Sequence, residues 1–194
     1  MPDETTAKAV KDLVLSLPLA DNWLRLAEYD LISGSPKSLI DAMTQVLRAT
    51  ASDVPRLLPL ATAYREFERL PRCDPRRLAA EIERLLANPR LGAGWIAFAD
   101  GEPAGYLLGV YVFSLEHLGL TAEIDELFVA PPQRGRGIGA ALIQTAEAEF
   151  ARAGCTNVSL QVSRDNDQAR NFYRRHGYDE RDGFELLEKS FADL

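Results

Sequence analysis

The order of apolar and polar runs along the chain predicts a mixed α/β sandwich, a central sheet flanked by helices. Three observations carry that expectation: strand-like runs alternate with helix-like ones, two apolar runs meet at an Asp-Gly turn, and a glycine-rich segment stands where a strand hands over to a helix. With 194 residues and 46% hydrophobic content, the chain can bury one full core, and its length favours a single domain with a small appendage.

The appendage is the N-terminal stretch 1–44, read as a helical extension of the main domain 45–194. Ala9, Leu13 and Leu17, then Trp23, Leu24, Leu26 and Ala27, recur at helical spacing and are broken by Pro18 and by the turn at 33–36, so two or three short helices are expected. Val46, Leu47 and Ala49 then fit a short strand. Ser52 or Asp53 can cap a helix that Pro55 opens and that runs to about Glu68. Beyond Pro71, a second helix starts around Asp74 and Pro75. Its apolar positions Leu78, Ile82, Leu85 and Leu86 share one face, and it ends near Asn88 and Pro89.

Residues 94–99 and 105–113 are apolar runs joined by Asp100, Gly101, Glu102 and Pro103, the chemistry of a hairpin. Residues 121–129 make a fourth strand. After the loop 130–136 a helix begins near Ile138, with Ile138, Leu142, Thr145, Ala146 and Phe150 on one side and Gly154 placed to end it. Residues 158–162 form a fifth strand, 167–176 a last helix stopped by Gly177, and 184–191 a closing strand.

Composition excludes several classes of function. No basic segment followed by a long apolar run opens the chain, and no stretch approaches the roughly 18 apolar residues that span a bilayer, so a soluble cytoplasmic protein without a membrane role is expected. Cys73 and Cys155 are too few and too far apart for a disulfide framework or a metal site, and no metal is expected. A net charge of -7 argues against a nucleic-acid partner and leans towards cationic ones.

The chemistry concentrates at Arg134, Gly135, Arg136, Gly137, Ile138, Gly139 and Ala140, between a strand and a helix. Backbone N–H groups and the positive end of the helix dipole point outward there, the glycines let a pyrophosphate approach the backbone, and the two arginines add charge. Such a turn also serves simply to let a helix pack closely on a sheet. A Walker loop is excluded because no Lys-Ser or Lys-Thr pair follows Gly139. A dinucleotide fold would place the turn after the first strand and an acid at the end of the next one, which here ends in Gln161, Val162 and Ser163.

Arg134-x-x-Gly137-x-Gly139 resembles the coenzyme A pyrophosphate loop of the GNAT acetyltransferases. About thirty residues later, Asn166, Ala169, Phe172, Tyr173, Gly177 and Tyr178 resemble that family's second motif. The resemblance spans about residues 45–191. It implies the acyl-CoA N-acyltransferase fold, with the sheet splayed between strands four and five to admit acetyl-CoA, and an acetyl group passed directly to an amine. It further implies that the backbone of Leu127, Phe128 and Val129 lies along the pantetheine arm and presents an N–H to the thioester carbonyl, that Asn166 touches the cofactor, and that homodimers are common among relatives.

Direct transfer needs a neutral amine, a polarised carbonyl and a proton for the departing thiolate. The phenol of Tyr173, with an ordinary pKa of about 10, suits the last task, although Tyr173 can equally be a packed aromatic. For the base, strand alternation places Glu123 and Asp125 on one face and Glu126 on the other. Glu123 stands eleven residues before Arg134, the position of the base in the histone-acetylating branch, and ranks first, with Glu126 second. Ordered water can do the same work, and the three acids can act as a lure for a cation. Asn166 is also an ordinary helix cap. The expected acceptor is a small cationic amine, polyamine-like or aminoglycoside-like. The alternatives are a lysine or amino-terminal protein acetyltransferase and a non-catalytic acyl-CoA sensor.

Overall fold

The computed structural model describes residues 44–181, 183–189 and 191. The expected helices of the extension 1–44 lie outside the described residues, save Thr44. The chain forms two compact units that meet in sequence at Leu160 and Gln161.

In the first unit a five-stranded sheet runs in the order β1-β2-β3-β4-β5, with β1 (Thr44–Arg48), β2 (Gly92–Ala99), β3 (Glu102–Ser114), β4 (Gly119–Val129) and β5 (Val158–Leu160). Strands β1 to β4 pair antiparallel with one another in sequence order, and β5 is parallel to β4. Asp100 and Gly101, both at positive φ, make the two-residue turn between β2 and β3, as the Asp-Gly pair predicts.

Helices α1 (Val54–Phe67) and α2 (Pro75–Ala87) cover one face of the sheet. Leu57, Leu60 and Ala61 of α1 and Ile82 of α2 form a core with Ile96, Tyr106, Leu108 and Phe128 from the strands. Asp74 caps α2 by accepting from the Arg76 N–H at 2.9 Å. Leu78, Leu85 and Leu86 pack against the core beside Ile82, the face that the periodicity predicts.

The other face is closed by α3 (Ile138–Arg152), which buries Ile138, Leu142, Ile143, Ala146 and Phe150. Phe150 meets Trp95 edge to face at 5.3 Å and Tyr111 at 5.9 Å. Space for its ring comes from Gly109, where an added Cβ would stand 2.5 Å from Phe150 Cζ. Helix α3 ends in a Schellman motif. Gly154, at φ 86°, donates to Ala151 at 3.0 Å and Cys155 donates to Phe150 at 3.0 Å.

The second unit holds α4 (Asp167–Arg175), which is also closed by a Schellman motif. Gly177 (φ 85°) donates to Arg174 and Tyr178 to Tyr173, and the Tyr173 and Tyr178 rings lie 5.7 Å apart. The expected closing strand is corrected: residues 184–189 and 191 form no strand. Their apolar side chains Phe184, Leu186, Leu187 and Phe191 are exposed, so the apolar residues that suggested a strand bury nothing there. Strand β5 is also shorter than expected and stops at Leu160. Among the described residues, no helix is long and apolar enough to cross a membrane.

Gly109→Ala is expected to destabilise the protein by about 1–3 kcal/mol through overpacking against Phe150. Urea unfolding at constant m-value checks this, and the cost should shrink in a Phe150→Leu background.

Candidate active site

The site is organised by the far half of β4. Leu108 on β3 pairs with Glu126, but the next residue, Gly109, pairs with Ile124, so Asp125 is an extra residue in the ladder, a β-bulge. The bulge corrects the faces expected from simple alternation. Glu126 pairs with Leu108, and Glu123 pairs with Val110, two residues further along the regular strand β3. Glu123 and Glu126 therefore share the sheet face that α1 and α2 cover, rather than opposing faces.

The same half of β4 is open on its other edge. Strand β5 pairs only with Ala122, Glu123 and Ile124, so among the described residues 125–129 carry a ladder to β3 alone. This is the splay expected between the fourth and fifth strands. It leaves backbone groups along Leu127, Phe128 and Val129 for another partner. The Phe128 side chain is buried in the core, so what this segment can offer there is backbone.

Glu126 and Asp125 are both raised in pKa by their surroundings. Burial raises the Glu126 pKa and the neighbouring Asp125 charge adds to it, while a hydrogen bond from Tyr106 (2.6 Å) and the charge of Arg65 oppose the rise. The Asp125 pKa is also raised, first by desolvation and then by the charge of Glu123. A carboxyl group pushed upward holds a proton more readily than an ordinary one, which suits a general base.

After β4, a short turn at Pro131–Gln133 leads into the glycine segment. Gly135 and Gly137 both take left-handed φ, 79° and 80°, and Gly137 is the N-cap of α3. An L side chain at either position would cost roughly 1–2 kcal/mol. The first bond of α3 runs from the Ala141 N–H to the Gly137 carbonyl at 3.0 Å. The N–H groups of Ile138, Gly139 and Ala140 thus precede the helical bonding pattern and form the positive end of a fifteen-residue helix. This backbone fits a pyrophosphate group.

The two arginines are engaged within the protein. Arg134 Nε donates to the Val129 carbonyl at 3.0 Å, and its guanidinium lies 4.7 Å from the Phe67 ring centroid and 5.7 Å from that of Phe128. Arg136 pairs with Asp100 at 3.0 Å and donates to Gln133. Both arginines pin the glycine turn, Arg134 to the end of α1 and Arg136 to the β2–β3 hairpin. Phe67 and Asp100 are distant in sequence, and only the apolar character of one and the turn chemistry of the other are visible there.

Within the second unit, Asn166 caps α4. Its side chain accepts from the Ala169 N–H at 3.1 Å, the ordinary reading of an asparagine in this position. Half-buried Tyr173 stacks edge to face with Phe172 at 5.3 Å, and its carbonyl takes part in the helix stop. Glu180 bridges Arg170 and Arg174 and is held below the usual carboxylate range by them.

A splayed strand pair beside a glycine-turned helix N-terminus defines an acyltransferase of the type that takes its acyl group from a phosphorylated thioester carrier. Residues 55–178 match the Acetyltransferase (GNAT) family, and the chain belongs to it. The chain is 30% identical over 139 residues to the uncharacterized N-acetyltransferase YhfO of Bacillus subtilis, covering 72% of this chain and 92% of that protein. It is 37% identical over 83 residues to the aminoalkylphosphonate N-acetyltransferase of Salmonella typhimurium, covering 43% of this chain and 54% of that protein. The structure of an integron cassette protein from the mobile metagenome of Cole Harbour Salt Marsh superposes with a TM-score of 0.68 at 30% identity, covering 77% of this chain and 92% of that one. The protein is accordingly an acetyl-CoA-dependent N-acetyltransferase.

Gly137→Ala is expected to weaken coenzyme A binding about tenfold, because the left-handed turn that presents the N–H groups is strained by roughly the 1–2 kcal/mol of an L residue there. Calorimetric titration with coenzyme A measures it.

Proposed function

We propose that the acceptor is a small cationic amine, drawn in and deprotonated by the acids of the β4 bulge. The single observation that carries this reading is the concentration of Glu123, Asp125 and Glu126 on one short stretch of strand, with Asp125 and Glu126 raised in pKa. An aminoalkylphosphonate is a small amine that also carries an anionic phosphonate, so the likeness to the Salmonella enzyme supports a small amine as acceptor, and its cationic character rests on the acids alone.

Acetyl-CoA supplies an activated acetyl thioester. The N–H groups of Ile138, Gly139 and Ala140 are proposed to hold its pyrophosphate, and the open edge of Leu127, Phe128 and Val129 to run beside its pantetheine arm. Backbone donors of this kind, set in place by folding, polarise a carbonyl without reorganising during the reaction. An ammonium group arriving at the bulge must lose a proton before it can attack. Glu126, half-buried and hydrogen-bonded, is proposed to take that proton, with Glu123 and Asp125 supplying the negative potential that attracts the cation. Tyr173 is proposed to protonate the departing thiolate, as the matching family motif implies.

Thiol release from acetyl-CoA, measured against polyamines, aminoglycosides, aminoalkylphosphonates and lysine peptides, tests the acceptor class. Turnover confined to lysine peptides would refute it. Glu126→Gln is expected to lower kcat/KM about a hundredfold, and Glu123→Gln less, chiefly through KM. The reverse order would make Glu123 the base. Tyr173→Phe is expected to lose at least about tenfold in kcat while still binding acetyl-CoA.

The base must be ionised to work, so the acid limb of the kcat/KM profile is expected above the ordinary carboxylate range. Stability runs the opposite way. A carboxyl whose folded pKa is raised binds more protons in the folded state, so stability falls as pH climbs from the unfolded to the folded pKa and stays lowered above it. Glu126→Gln should therefore raise the melting temperature at neutral pH, with the gain shrinking as pH falls through that window.

A further inference from the structure

Glu126 is held by a group that the chemistry above does not employ. Tyr106, on β3, is fully buried, yet its hydroxyl donates to Glu126 Oε2 at 2.6 Å. In the ladder Tyr106 faces Phe128, and Glu126 faces Leu108, so the phenol reaches diagonally across the strand pair to a carboxyl on its own face of the sheet. Were Asp125 a regular rung of the ladder, continued alternation from Glu123 would turn Glu126 to the opposite face and away from this hydroxyl. The Tyr106 ring packs against Phe128 at 6.4 Å within the α1 and α2 core, a place where phenylalanine would satisfy packing alone. A tyrosine there adds one polar atom to an apolar core, and the carboxyl of Glu126 is its partner.

Building on the reading of Glu126 as base, we propose that Tyr106 is a positioning residue for acetyl transfer: its hydroxyl anchors Glu126 Oε2 and holds the carboxylate in one orientation at the β4 bulge to receive the proton of the acceptor ammonium. The proton leaves the ammonium nitrogen for the Glu126 carboxylate, and Tyr106 keeps its own. Burial and the adjacent Glu126 charge raise the phenol pKa far above its usual value, so Tyr106 stays a donor throughout. The other groups that bear on this pair are Asp125 on β4, which raises Glu126, Arg65 on α1, which lowers it, and Tyr64 on α1, which bears on Tyr106. The hydrogen bond favours the ionised carboxylate, so its removal leaves burial and Asp125 opposed by Arg65 alone.

The test is Tyr106→Phe, followed by 13C NMR titration of the Glu126 carboxyl and by the pH profile of kcat/KM on the preferred amine. Expected are a Glu126 titration moved to higher pH, an acid limb moved with it, and a loss of about tenfold in kcat/KM at pH values near the limb, with the KM for acetyl-CoA unchanged. If neither the resonance nor the limb moves, Tyr106 does not hold Glu126 and the inference is overturned while Glu126 can still be the base. If the resonance moves and the limb does not, another group is the base, and the reading on which the inference rests fails. Should the variant not fold, the wild-type hydroxyl proton decides. Its resonance must shift at the pH where Glu126 titrates, and a resonance indifferent to that pH overturns the inference.

Discussion

One extra residue in one strand sets most of what this protein can do. Asp125 stands without a partner opposite β3, and that insertion has two consequences. Because Asp125 takes no rung, Glu126 stands on the face of Glu123 and Tyr106, so these two acids, the phenol and the α1 and α2 layer meet on one side of the sheet. The insertion also falls where β5 ceases to pair with β4, so among the described residues the ladder is disturbed on one edge and unpaired on the other along the same few residues. A regular strand with neighbours on both edges would have satisfied its backbone groups and hidden its acids from any ligand.

The glycine turn depends on that strand in a different way. Val129 closes β4, and its carbonyl accepts the Arg134 side chain, while the Arg134 guanidinium lies over Phe67 at the end of α1. Arg136 reaches back to Asp100 in the β2–β3 turn. The N-terminus of α3 is thereby tied both to the acid-bearing face and to the far hairpin. The arginine side chains hold the turn that carries the backbone N–H groups proposed to bind the pyrophosphate. Preorganised donors of this kind lose little entropy when a ligand arrives. The raised pKa of half-buried Glu126 works against this order, since a carboxyl with a raised folded pKa lowers stability above that pKa.

The elements that local chemistry dictates were legible in the sequence. The Asp100-Gly101 turn, the Asp74 cap, the periodic face of α2, and the stops at Gly154 and Gly177 each rest on one or two residues whose conformational preferences decide the matter. Family membership was legible from the glycine turn and from the Asn166 to Tyr178 segment, although within the second unit Asn166 is a helix cap and Gly177-Tyr178 a helix stop. What was not legible is non-local. The bulge hides inside a run of residues, 121–129, that reads as an unbroken strand, because an inserted residue shows only against its partner strand. The stacking of Arg134 on Phe67 joins residues that no spacing rule connects. The strand expected at 184–191 misled in the opposite direction, since a run of apolar residues forms a strand only when a sheet edge and a buried face receive it, and 184–189 and 191 are exposed.

The most direct test of this account is the deletion of single residues from β4, followed by thermal unfolding and coenzyme A binding. Removing Asp125 takes out a residue with no ladder partner and lets Ile124 and Glu126 keep their pairings with Gly109 and Leu108, so the variant should unfold cooperatively and still bind coenzyme A. Removing Ile124, which is buried and paired on both edges, should abolish both properties. If the Asp125 deletion proves as damaging as the Ile124 deletion, Asp125 is an integral rung of the strand, and the placement of Glu123 and Glu126 on one face is wrong.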